Sequence, residues 1–172
     1  MGGGQTMVTA GFFVLLIASV ITANRMIGES TTTTYEGDAR NLAVDIARAV
    51  MNEAYRKKFD EKSIDSVYQT TIDFTAPASL GPDAGEAIST LPEVAPYMSG
   101  SKFDDIDDYN GYSRIVNAGN LNGFKISIAV YYVDGTSYAK SSVQSYFKRI
   151  DVSVEQPTYL KTKVTYSKLI TQ

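Results

Sequence analysis

Among its 172 residues the chain has no cysteine, no histidine and no tryptophan. Without cysteine it can form no disulfide, no thiolate nucleophile and no zinc–thiolate cluster, and the sequence carries no mark of redox compartment. Without histidine the commonest general base, the Ser-His-Asp arrangement and the commonest metal ligand are missing together. Carboxylate pairs are the remaining route to acid–base chemistry. No partner base accompanies them, so an enzyme is not expected. Positive charge is short as well, with 16 Lys and Arg against 19 Asp and Glu, a formal net charge of −3. The basic clusters at 56–58 and 148–149 are brief and read as helix C-terminal complementarity and a solvated strand face. A phosphate backbone needs a clustered positive surface, so no nucleic-acid partner is expected.

The first 24 residues contain no charged side chain, and residues 7–23 form a nearly unbroken apolar run, MVTAGFFVLLIASVITA. As a helix, residues 4–24 would reach roughly 30 Å, enough to cross a bilayer's hydrocarbon core once. A cleaved secretory signal would need a basic start and a small-x-small exit. Residues 1–4 carry no Lys or Arg, and Ile21-Thr22-Ala23 is a poor exit site. A buried core helix would need protein on every face, which a run of this length near a terminus rarely finds. Two readings stay open: a plain single-pass anchor and a helix that also packs against copies of itself. Arg25 is the strong topological charge closest to the run, and it does not fix orientation.

Downstream, residues 28–37 hold four successive threonines between two glycines and read as an extended or partly unwound connector. Asp38 is placed to cap the helix that follows. In that helix, 38–59, Ala39, Leu42, Ala43, Ile46, Ala47, Val50, Met51 and Ala54 recur at three- and four-residue steps. Glu53 and Lys57 are expected to pair across one turn. Residues 124–132 alternate with Phe124, Ile126, Ile128, Val130 and Tyr132 on one face, and 148–155 alternate with Ile150, Val152 and Val154 inward. Residues 161–170 and 111–116 read as further strands. The segment 75–110 holds four of the five prolines and reads as irregular surface chain with short turns. Twelve tyrosines suit half-exposed strand positions. The expected class is α+β: a long N-terminal hydrophobic helix continuing into an amphipathic helix packed on an antiparallel sheet. Its parts are a helix over 1–27 with a possible leader 1–4, the connector 28–37, and a head domain over 38–172.

Asp104, Asp105, Asp107, Asp108 and Asn110 place five oxygen-bearing side chains in seven residues, followed by Gly111. Dense carboxylates on a flexible loop can supply the six to eight oxygens that Ca²⁺ takes. An EF-hand loop would begin with Asp, whereas Ile106 stands at that position counted back from Gly111. A loop-stabilising Ca²⁺ site and a plain acidic turn into a strand both fit.

An uncharged apolar helix opening on Gly-Gly-Gly-Gln-Thr-Met, an amphipathic helix, an irregular loop and an antiparallel sheet together resemble a type IV pilin-like protein. The stretches FDDIDDYNGYS (103–113) and YFKRIDVSV (146–154) add to the resemblance, being similar to stretches in minor pilins and pseudopilins. The resemblance implies a subunit made in the cytoplasmic membrane, trimmed by a prepilin peptidase and polymerised by an assembly machinery into an extracellular or periplasmic filament. Gly4 and Gln5 would flank the cut. Thr9 then stands where the family carries a glutamate; if Met1 is the mature start, Gln5 does. Membrane helices associate through close packing of small residues, and a head-to-tail contact between copies does not close, which gives a filament. Thr9, Gly11, Phe12, Leu15 and Leu16 are the expected packing positions. The alternative is a single-pass, membrane-tethered extracytoplasmic module that binds a ligand through the proline-rich loop.

Overall fold

A computed structural model describes residues 3–61, 70–86 and 90–172, without the side chains of 5 and 6. The chain divides into two compact units, Met1–Asp38 and Ala39–Gln172.

Helix α1 runs over Gly3–Tyr55. The connector expected at 28–37 is helical instead, and Asp38 lies inside the helix rather than capping it. The hydroxyls of Thr31, Thr32, Thr33 and Thr34 each donate to the carbonyl four residues earlier, at 2.8–3.0 Å. Turned back onto the helix, they no longer compete with it for backbone groups.

In the second unit α1 buries one stripe. Ala39, Ala43, Ala47, Val50, Met51 and Ala54 are all buried and share one core with the sheet. The four alanines on this stripe favour close approach of the helix backbone to what covers it. The sheet has five strands in the order β1-β2-β3-β4-β5: β1 Glu93–Val94, β2 Ser113–Ala118, β3 Leu121–Tyr132, β4 Phe147–Glu155 and β5 Val164–Thr171. The β2–β5 pairs are antiparallel. β1, which the alternation pattern is too short to announce, pairs parallel to β2. β3 puts Phe124, Ile126, Ile128, Val130 and Tyr132 into the core, and β4 adds Ile150, Val152 and Val154, as their period of two requires. β5 is an edge strand that buries little beyond Ile170.

The proline-rich segment is less superficial than expected. Its described residues include short 3₁₀ turns at Pro77–Ser79, Ser99–Ser101 and Asp107–Tyr109. It also sends Phe103, Ile106 and Tyr109 fully inward. With Tyr112, Phe103 and Tyr109 form an edge-to-face cluster with ring centroids 5.0–6.2 Å apart. Tyr109, Tyr112 and Tyr132 are therefore core residues rather than half-exposed ones.

Candidate functional site

The acidic stretch is drawn into the domain. Asp105, Asp107 and Asp108 are each at most 3 % exposed. Two backbone bonds hold the stretch beside the chain that leaves α1: Lys58 N–H to the Asp104 carbonyl at 3.3 Å and Ile106 N–H to the Lys58 carbonyl at 3.0 Å. Asp105 Oδ1 accepts the N–H groups of Asp107 and Asp108, and Asp108 Oδ2 accepts those of Asp104 and Asp105. The two carboxylates thus build the turn that carries them.

Asp107 meets Lys148, which is fully buried. Lys148 sits on β4 at the same parity as Ile150, Val152 and Val154. The solvated strand face expected for 148–149 is corrected on this point, because alternation puts Lys148 and Arg149 on opposite faces. The three donors of the ammonium group are all used: on the Phe59 carbonyl at 2.7 Å, on Asp60 Oδ2 at 2.9 Å and on Asp107 Oδ1. The rings of Phe59 and Tyr132 lie 4.4 and 5.0 Å from the nitrogen. Tyr132, the cross-strand neighbour of Lys148, donates its hydroxyl to Asp60 Oδ2 at 3.1 Å. Asp60 also accepts from the Thr75 N–H and hydroxyl. Lys148 therefore joins β4 to the chain that leaves α1 and to the 3₁₀ turn at 107–109, and Asp60 carries the link on to Thr75.

Burial dominates the acid side of this cluster. It pushes the Asp107 carboxyl up to about 8, although the neighbouring Lys148 pulls the other way. Burial and the Asp108 charge push Asp105 up to about 6, and burial with the nearby Glu86 pushes Asp108 up to about 6. Asp107 Oδ2 is buried with no hydrogen-bond partner, consistent with a carboxyl that favours its proton.

Of the five side chains predicted as a cation site, three are engaged with groups outside the stretch. Asp107 is on Lys148. Asn110 donates to the Leu80 carbonyl at 2.9 Å and accepts the Val130 N–H at 3.1 Å, tying the loop to β3. Asp104 pairs with Lys58 at 3.1 Å across a half-exposed surface, which contributes little to stability. The groups that could hold a cation draw on carboxylates outside the stretch: Glu61 with Asp104 and Asp105, and Glu86 with Asp104 and Asp108. The sequence reading missed Glu61, Glu86, Asp60 and Lys148.

In the first unit, Gly4, Thr9, Gly11, Phe12, Leu15 and Leu16 are helical and exposed, and the Gln5 side chain lies outside the described residues. The apolar part reaches a mean hydropathy of 2.0 over 18 residues, none of it buried within the chain. Ser19 and Thr22 turn their hydroxyls to the Leu15 and Ala18 carbonyls at 2.8 Å, so neither presents an unsatisfied donor to an apolar surrounding. The polar boundary is marked by an Arg25–Glu29 pair at 3.1 Å, one helical turn apart. The helix is long and apolar enough to cross a membrane.

A cavity of about 730 Å³ opens between the C-terminal turns of α1, the 3₁₀ turn at 99–101 and β2. Glu53, expected to pair with Lys57, instead meets Arg114 of β2 at 3.0 Å and accepts the Tyr109 hydroxyl at 3.2 Å. Lys57 reaches the Gly100 and Phe103 carbonyls. A Cβ on Gly100 would stand 2.6 Å from Glu53 Oε1, so a glycine lets the turn close on the helix. No protein-family model matches the chain, nor does any curated protein or solved structure.

Proposed function

We propose that the chain is the structural subunit of a type IV pilus-like filament, held in the cytoplasmic membrane before assembly and polymerised through its N-terminal helix. The observation that carries this reading is the long helical surface in the first unit, apolar on all sides and exposed among the described residues. Such a surface is costly in water, at about 25 cal/mol per Å², and lipid or further copies of the same helix can cover it. A bilayer covers it first and neighbouring subunits replace the lipid on assembly. Small residues at Thr9, Ala10, Gly11, Ala18 and Ser19 let neighbouring helices approach where Phe12, Leu15 and Leu16 interlock. Cleavage between Gly4 and Gln5 by a prepilin peptidase would leave the apolar run at the mature N-terminus. The destination is an extracellular or periplasmic filament with the α+β unit outside. Neither enzymatic chemistry nor a bound metal is needed for this role.

The cavity beside Tyr97, Gly100 and Ser101 favours a second reading, in which a single-pass anchor tethers a ligand-binding module and the proline-rich loop supplies part of the site.

Removing residues 1–38 tests the role given to the first unit. The second unit contains the whole sheet and the buried stripe of α1. The truncated chain is expected to be soluble and monomeric by sedimentation, with a cooperative thermal transition and no polymers. Polymerisation of the truncated chain would remove the first unit from its assigned role.

A further inference from the structure

The cavity at the end of α1 differs in charge from the chain that surrounds it. Its walls carry Arg56, Lys57 and Arg114 against one carboxylate, Glu53, in a protein whose formal net charge is −3. Glu53 is committed to Arg114 and Tyr109. Lys57 donates two of its three N–H groups to the Gly100 and Phe103 carbonyls and its charge is felt by Asp104, so one donor is left. Arg56 is exposed and makes no ion pair among the described residues. Arg56 and the remaining Lys57 donor are therefore available to a ligand.

The rest of the lining specifies a polar ligand. Among the described residues no Leu, Ile, Val, Phe or Met lines the cavity; Ala49 and the Tyr97 ring are its apolar parts. The Tyr97 ring is stacked by the Arg114 guanidinium, 5.0 Å from its centroid. Asn52 offers an amide, and Ser101, whose proton goes to the Met98 carbonyl, offers an oxygen that accepts; both are suited to sugar hydroxyls rather than to a second charge. The volume lies in the range of small-ligand pockets.

We propose that this cavity binds a carboxylated saccharide. The carboxylate lies toward Arg56 and Lys57, and the sugar hydroxyls lie toward Asn52 and Ser101. Gly100 keeps the turn close enough for one ligand to reach both walls. The site is independent of how the chain is anchored or assembled.

The test is equilibrium dialysis of the full chain in detergent micelles against digalacturonic acid, with maltose and inorganic phosphate in parallel. The acidic disaccharide is expected to bind at least tenfold tighter than either control. Arg56→Gln is expected to weaken it about tenfold, the size of one charge-assisted hydrogen bond, with an unchanged melting temperature because Arg56 holds nothing in the fold. Asn52→Ala is expected to weaken digalacturonic acid more than phosphate. Absence of digalacturonic acid binding, equal affinity for phosphate or maltose, or unchanged affinity in Arg56→Gln would each overturn the proposal.

Discussion

Lys148→Met is expected to destabilise the α+β unit by about 3–5 kcal/mol, the range seen when one partner of a buried ion pair is removed. At roughly 4 °C per kcal/mol this lowers the melting temperature by about 12–20 °C. Methionine keeps most of the volume, so the loss is electrostatic: Asp60 and Asp107 stay buried without their cation. Because Asp105, Asp107 and Asp108 have folded values raised above 3.8, the folded state holds protons that the unfolded state has released. Their contribution is complete below about pH 4 and is lost as pH rises through 6 and then 8. The wild-type unit is therefore expected to melt higher at pH 5 than at pH 8, and the deficit of Lys148→Met to be larger at pH 8. Adding Asp107→Asn to Lys148→Met should recover part of the loss, the sign of a direct coupling in a double-mutant cycle. Circular-dichroism melts at the two pH values decide it. A variant within 1 kcal/mol of wild type at both would show that Lys148 does not hold the segments together.

Leu16→Asp is expected to abolish assembly while leaving the second unit folded. Leu16 lies in the middle of the apolar run, exposed along the helix. A carboxylate at the centre of a spanning helix costs about 3 kcal/mol relative to leucine by insertion scales, and it would meet the same penalty in a dry filament core. Microscopy of material sheared from cells carrying this variant should show no filaments. Filaments at the wild-type level would mean that Leu16 faces water in the polymer and that the packing positions are wrong.

The parts of the fold that rest on periodicity were legible. The α1 stripe and the alternation in β3 and β4 each come from many residues that agree, so tertiary packing has little to override. The threonine run misled because helix propensity counts a Thr hydroxyl as a competitor, and here all four hydroxyls bond back onto the helix itself. The two-residue β1 is too short to show a period at all. Within the acidic stretch, composition announced oxygens but not their use. The missing clue was in β4. If Ile150, Val152 and Val154 face inward, so does Lys148, and a buried lysine needs carboxylates from elsewhere in the chain. Asp60 and Asp107, 88 and 41 residues distant, meet that need. The cavity was beyond reach from sequence, since Glu53 and Arg114 are 61 residues apart and their pairing depends on the register of helix against sheet.

The most direct measurement of the central claim is negative-stain microscopy of wild-type material sheared from the cell surface, with intact mass and N-terminal sequencing of the same fraction. The expected result is thin filaments whose subunit begins at Gln5. A chain retained in the membrane fraction, beginning at Met1 and yielding no filaments, would contradict assembly and leave the tethered ligand-binding module as the function.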